Sequence, residues 1–190
     1  FVPEFSIELG KRVRLNRIEI EGLVRTNPKQ VEARLKHLEG DWYDEAAMNK
    51  RLRGLLAIGA FSSIRLETRE IPGDSIEATL HLVEARAKEI SLAGGLDSYL
   101  GALLRTTYTD RNFLGELLGF SAGFEFSSRG VLGETRLTDP WFLGTDVAAS
   151  ARLFALIYGR EGYSSFETGL EGTATWESGD HYKIEALAGY

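Results

Sequence analysis

The sequence predicts an α+β unit of β-α-α-β-β order followed by an antiparallel all-β meander. Three observations carry this. Cut after Lys88, the chain has 15 Lys+Arg and 14 Asp+Glu before the cut and 7 and 14 after it, so the whole net charge of -6 lies in the second part. Fifteen of the 21 glycines and 15 of the 20 aromatic residues also fall after the cut. The apolar periodicity changes at the same place, from helical spacing mixed with alternation to alternation alone. A stretch rich in glycine and aromatics, without helix signals, has the composition of many strands joined by tight turns. The boundary is expected between Ala85 and Ile90, giving a first unit over 13–88 and a second over 89–190.

In the first unit, Val13, Leu15, Ile18 and Ile20 alternate imperfectly and Gly22 ends the run, which predicts a strand. Thr26 or Asn27 can cap the helix that follows, Pro28 suits its first turn, and Gly40 follows its end. Val31, Leu35 and Leu38 recur at helical spacing and give it one apolar face. Asp44 can cap a second helix, with Ala47, Met48, Leu52, Leu55 and Leu56 as its buried stripe and Gly59 at its close. Two strands follow: Phe61 to Glu70, and Ser75 to Glu84, with Ile76, Ala78, Leu80 and Leu82 on one face. Pro72-Gly73-Asp74 is the turn between them.

These residues resemble a family. Arg17-Ile18-Glu19-Ile20-Glu21-Gly22, then Thr26, Gly40-Asp41-Trp42-Tyr43, Leu56-Ala57-Ile58-Gly59-Ala60-Phe61 and Leu82-Val83-Glu84 follow in the order of a POTRA domain. Each landmark has a physical role. Gly22 leaves the strand with little steric restriction, Gly40 breaks the first helix, Tyr43 staples the cap of the second, and Phe61 enters the core. Residues 1–12 read as a linker or as the last strand of a preceding POTRA-like unit, since Phe5, Ile7 and Leu9 alternate.

Seven strand segments are expected in the second part: Glu89–Asp97, Leu103–Arg111, Leu117–Ser127, Leu132–Thr138, Val147–Tyr158, Ser165–Trp176 and His181–Tyr190. The clearest alternation sets Phe166, Thr168, Leu170, Gly172, Ala174 and Trp176 against Glu167, Gly169, Glu171, Thr173 and Thr175. Several segments reach about ten residues, the length that crosses a bilayer when tilted. Trp176, Tyr158, Tyr190 and Phe126 stand near strand ends, where interfacial girdles form. A soluble β-sandwich shows the same alternation, and composition alone favours it.

Asp110-Arg111-Asn112-Phe113-Leu114-Gly115 and Thr138-Asp139-Pro140-Trp141-Phe142-Leu143-Gly144 resemble the early barrel strands of the POTRA-plus-barrel superfamily. This is the bacterial surface-antigen family, which includes the central barrel subunit of the outer-membrane assembly machinery. Asn112, Gly115, Asp139, Pro140 and Gly144 suit the turns that punctuate such strands.

The resemblance implies that the meander is the N-terminal part of an outer-membrane β-barrel with a periplasmic POTRA domain. It implies a part in outer-membrane protein assembly or polypeptide translocation. Unfolded or extended clients would add as a strand at the edge formed by Phe61, Ile64, Leu66 and Thr68. Ile90, Leu92, Gly94 and Gly95 would line one side of a lateral barrel seam, where glycine weakens pairing. Outer-membrane lipid and envelope accessory proteins are the other implied partners. The family's barrel has many more strands, so the chain reads as a fragment whose open edges favour self-association. A two-partner-type secretion translocator and the barrel anchor of an outer-membrane lipase share the architecture. A soluble β-rich binding or adhesion protein is the alternative of another class.

The chemistry of other classes is weakly represented. The chain has no cysteine, which excludes a disulfide scaffold, a thiolate zinc site and a cysteine nucleophile. His37, His81 and His181 lack metal-ligand spacing. Gly94-Gly95 lacks the spacing of a phosphate loop, Ser127-Ser128 has no organised base, and no nucleophile elbow occurs. Glu167 and Glu171 share a strand face and read as solvated carboxylates rather than metal ligands. His37 near a helix C-terminus reads as structural. Lys11, Arg12, Arg14 and Arg17 read as a solvated face, and the acidic balance argues against nucleic acid. No enzyme activity and no cofactor are expected. No run approaches the roughly 18 apolar residues of a membrane helix. Phe1 is not a start residue and no signal-peptide pattern opens the chain, so an internal piece of a longer protein is expected.

Overall fold

The computed structural model describes residues 11–160, 162–178 and 182–190. The alternation at Phe5, Ile7 and Leu9 lies outside them.

The first unit runs β1 (Arg14–Glu21), α1 (Pro28–Leu35), a 3-10 turn at Lys36–Leu38, α2 (Glu45–Ala57), β2 (Phe61–Ile71) and β3 (Ser75–Glu84). Asn27 caps α1, its side-chain oxygen accepting from the Lys29 N–H at 3.2 Å. Thr26, the other expected cap, is used elsewhere. Asp44 caps α2 by accepting from the N–H groups of Ala46 and Ala47 at 2.8 and 3.2 Å. β3 lies between its neighbours, parallel to β1 and antiparallel to β2. Its alternation puts Ile76, Ala78, Leu80 and Leu82 in the core, where they meet Val31 and Leu35 of α1 and Met48, Leu52 and Leu55 of α2. Leu56, expected in the α2 stripe, is 38% exposed because the stripe turns past it toward the sheet.

Seven strands follow: β4 (Lys88–Asp97), β5 (Gly101–Phe113), β6 (Leu118–Ser127), β7 (Gly130–Asp139), β8 (Val147–Arg160), β9 (Tyr163–Ser178) and β10 (Tyr182–Gly189). Each pairs antiparallel with the next, so spatial order equals chain order. All seven expected segments are strands; β4, β5, β7, β8 and β9 extend beyond their expected bounds at one or both ends, and the expected start at His181 lies outside the described residues.

Register assigns every side chain to a face. The cross-strand row Leu92, Thr106, Phe124, Gly133, Ala155, Thr168 lies on one side. The same face carries Ile90, Leu104, Phe126, Leu137, Leu153, Phe166, Leu170, Trp176 and Ile184, all exposed. No element among the described residues covers this apolar face. The other face carries Arg105, Glu125, Glu134, Arg152 and Glu171. There Arg152 reaches Glu134 at 2.7 Å and Glu171 at 3.0 Å, and Arg105 Nε donates to Glu125 at 2.8 Å.

One girdle residue needs correction. Tyr158 pairs with Gly130 and Ser165, so its parity puts it on the polar face. There its hydroxyl donates to the Tyr99 hydroxyl at 2.8 Å. Trp176, Phe126 and Tyr190 stand on the apolar side. Large rings lie over facing glycines: a Cβ on Gly169 would sit 2.6 Å from the Phe154 ring, and one on Gly133 would sit 3.4 Å from Phe124.

Candidate functional site

Two groups of residues stand out: the open sheet edges, and the junction where the first unit meets the turns of the second sheet. β2 is an edge of the three-stranded sheet and β4 an edge of the seven-stranded one. On β2, Ile64 and Leu66 are half-buried against the core beside α2, and Thr68 is exposed. Phe61 is only 4% exposed, so it anchors the start of the strand inside the core and is not presented at the edge. On β4, Ile90 and Leu92 are exposed on the apolar face, while Gly94 and Gly95 pair with Leu104 and Leu103 of β5. The client-edge and seam residues therefore lie on different strands of different sheets.

The motif glycines and turn residues converge on the junction instead. Gly22 takes φ +89°, and a Cβ there would lie 2.0 Å from the Leu82 carbonyl oxygen, so only glycine passes. Just beyond it, the N–H groups of Val24, Arg25 and Thr26 all donate to the Glu84 carboxylate at the end of β3. Arg25 adds its own side chain, from Nε to Glu84 at 3.0 Å and from a terminal nitrogen to the Ala85 carbonyl at 2.6 Å. Asn112, at the end of β5, donates from Nδ2 to Thr26 Oγ1 at 2.9 Å and accepts from the Leu117 N–H at 3.0 Å. Asp110 accepts from the Asn112 N–H at 3.0 Å. Thr26, Asp110 and Asn112 are all buried. The Gly115 carbonyl accepts from the Asn27 N–H, and Glu116 accepts from the side chains of Asn27 and Gln30.

Leu117, in the turn between β5 and β6, is fully buried in the core of the first unit. The expected boundary near Ala85 to Ile90 is thus a boundary in the chain but not in the core.

The turn between β7 and β8 repeats the device. Thr109-Asp110-Arg111-Asn112-Phe113-Leu114-Gly115 and Thr138-Asp139-Pro140-Trp141-Phe142-Leu143-Gly144 share five of seven positions with the same spacing. Asp139 accepts from the Trp141 N–H at 2.9 Å, as Asp110 does from Asn112. The N–H of Gly144 reaches the Trp141 carbonyl at 2.9 Å, as Gly115 reaches Asn112 at 3.0 Å. Leu114 and Leu143 both adopt left-handed backbone, at φ +56° and +54°. That conformation costs a non-glycine residue about 1–2 kcal/mol. The fourth residue of each turn meets the first unit. Asn112 bonds Thr26, and Trp141 lies against α1 and α2. The Arg34 guanidinium carbon is 4.4 Å from the Trp141 ring centre. A Cβ on Gly54 of α2 would stand 2.7 Å from the same ring. Arg51 of α2 pairs with Asp146.

Two charges feel this packing. Burial acts to raise the Glu84 pKa, but the hydrogen bonds from Thr26 and Arg25 outweigh it and hold the carboxyl at about 2. Burial lowers the Arg34 guanidinium to about 10, partly opposed by Asp139, so it stays cationic at neutral pH. Arg34 Nη1 is buried and has no hydrogen-bond partner among the described residues. It borders a cavity of about 600 Å³ shared by α1, α2 and the two turns, with His37 on its wall. Glu171 is ion-paired with Arg152, and among the described residues no three metal-ligating side chains converge.

Sequence reasoning read Asn112, Gly115, Asp139, Pro140 and Gly144 as turn residues, Gly40, Tyr43 and Gly59 as element punctuation, and Thr26 as a cap. Gly40 and Gly59 take positive φ, and Tyr43 packs on the core. What that reading missed is the joint role of Thr26, Glu84, Asn112, Glu116, Arg34 and Trp141. The doubled seven-residue motif was the available signal.

No family model matches the chain. It is 26% identical over 155 residues to the outer membrane protein assembly factor BamA of Neisseria meningitidis serogroup B, covering 76% of this chain and 19% of that protein. It is 24% identical over 111 residues to the BamA of Neorickettsia risticii, covering 58% and 15%. The chain thus spans less than a fifth of these curated relatives. Among solved structures, the fold matches BamA from Haemophilus ducreyi lacking POTRA domains 1-3 with a TM-score of 0.79, at 18% identity, over 96% of this chain and 36% of that one. It matches CdiB from Escherichia coli with a TM-score of 0.58, at 14% identity, over 86% of this chain and 32% of that one.

Proposed function

We propose, from its similarity to BamA proteins, that the full-length protein assembles or translocates polypeptides at the outer membrane. The first unit acts as the POTRA domain next to a barrel, in the periplasm, and the seven strands form part of that barrel's wall. The observation that carries this is the uncovered apolar face running across all seven strands, opposite a face of paired charges. A bilayer satisfies such a wall: lipid takes the apolar side, and the polar side faces the lumen. A sandwich would need a second sheet on the apolar face. No helix of the described residues is long and apolar enough to cross a membrane, and that leaves strands free to do so.

Clients add as an extended strand along the free edge of β2, with Ile64 and Leu66 offering a half-buried apolar lip. The β4 edge forms one side of a lateral opening, where Gly94 and Gly95 weaken cross-strand packing. Lipid and envelope accessory proteins complete the partners.

Gel mobility of the full-length protein in detergent, with and without boiling, tests the barrel. A band in the outer-membrane fraction that shifts on heating is expected; a soluble, heat-insensitive protein overturns it. Proline at Ser63 or Arg65, with the fold checked by circular dichroism, tests strand addition. Client crosslinks should be lost, and unchanged crosslinking rejects β2 as the receiving edge. A secretion translocator of the same architecture is separated by where clients end: in the membrane for an assembly factor, in the medium for a translocator.

A further inference from the structure

The doubled turn motif divides its residues between two surroundings. Its fourth position, Asn112 or Trp141, docks on the POTRA-like unit. Its fifth turns toward the apolar sheet face. Phe113 stacks on Phe120 with ring centres 4.7 Å apart. Phe142 borders a concavity with Leu137, Ala149 and Ala151 of that face. Its sixth, Leu114 or Leu143, is 80% or 83% exposed and held in left-handed backbone.

We propose that the two turns form a lipid-interface site. Phe113, Leu114, Phe142 and Leu143 enter the headgroup–acyl boundary of the leaflet on the POTRA side, while Asn112 and Trp141 hold the POTRA unit to them. This rests on the barrel reading above. Exposed leucine in a conformation that suits glycine or asparagine is doubly unfavourable in water. Two such leucines recur at one motif position, so a shared apolar surrounding accounts for both. Continuity supplies its identity: both turns extend the uncovered apolar face at one end of the sheet.

The motif accompanies contact with the POTRA unit at both turns. Through it, the unit's orientation is fixed to the bilayer plane at two points rather than by the chain linker alone.

Spin labels test this on the full-length protein in phosphatidylcholine–phosphatidylglycerol vesicles, after any native cysteine is replaced by serine. Labels go at Leu114→Cys, Leu143→Cys, Leu153→Cys on the apolar face, and Glu70→Cys on the POTRA sheet. The heat-dependent gel shift serves as the folding control. The ratio of oxygen to nickel–chelate accessibility is read at each. Ratios at 114 and 143 several-fold above that at 70, and below that at 153, are expected. If 153 reads as lipid while 114 and 143 match 70, the site is overturned and the barrel stands. If 153 also matches 70, the barrel reading falls and the site with it. Phe113→Cys and Phe142→Cys, whose backbone is not left-handed, repeat the measurement should a label at either leucine disturb its turn.

Discussion

The Asn112 side chain donates to the Thr26 hydroxyl at 2.9 Å, across 86 positions of chain. This bond joins the end of β5 to the loop after β1, in a site where both partners are buried. Asn112 also accepts from Leu117, whose side chain fills the neighbouring core. One amide therefore fixes both the loop and the turn.

Asn112→Ala should destabilise the junction by about 1–3 kcal/mol, because it strands the buried Leu117 N–H and removes one of the Thr26 hydroxyl's bonds, leaving the one to Glu84. Hydrogen exchange at the Leu117 amide checks it. Exchange should quicken in the variant, and an unchanged rate would mean the bond contributes nothing.

Glu84 makes junction stability depend on acid. Its folded pKa, about 2, lies below its unfolded value, so its contribution is full above about pH 4.5 and is lost as pH falls toward 2. With solvent reaching its Arg25 side, the contribution is of order 2 kcal/mol. Denaturant midpoints of the wild type and Glu84→Gln should differ at pH 6 and converge near pH 2. A difference independent of pH would show that the hydrogen-bond geometry, not the charge, matters.

The two matched turns should respond differently to the same change. Gly115 and Gly144 share positive φ, +79° and +75°. A Cβ on Gly115 would lie 2.5 Å from the Arg25 carbonyl oxygen, whereas nothing lies within 4 Å of one on Gly144. Gly144→Ala should cost about 1 kcal/mol, the conformational penalty alone, and Gly115→Ala distinctly more. The temperature of the heat-dependent gel shift ranks them, and equal shifts would contradict the close approach.

Arg152 stands between Glu134 and Glu171 on the polar face. Arg152→Leu should lower the shift temperature markedly, because it leaves two carboxylates facing each other without a cation. Arg152→Lys should recover part of the loss. An Arg152→Leu protein as stable as the wild type would mean water already screens the pair.

Much of this was legible in the sequence. Helix caps, the Ile76–Leu82 alternation and the seven strand segments rest on local rules of period and turn chemistry, which act between neighbours along the chain. Tyr158 lies on the polar face although its place near a strand end suits a girdle, because nearness to a strand end leaves parity open and pairing with Gly130 and Ser165 decides the face. Phe61 looked like an edge residue because its strand is an edge, yet the register shift between Phe61 and Ser63 accompanies a ring turned into the core.

By itself the sequence determined which segments are strands and helices, where the composition divides, and which glycines interrupt them, since each follows from backbone sterics and local patterning. Only the tertiary structure decided that Thr26, Glu84, Asn112 and Leu117 form one buried cluster, and that Trp141 wedges between α1 and α2. Hydrogen bonds and packing between residues far apart in the chain depend on how two sheets meet, and no periodicity along one segment carries that information.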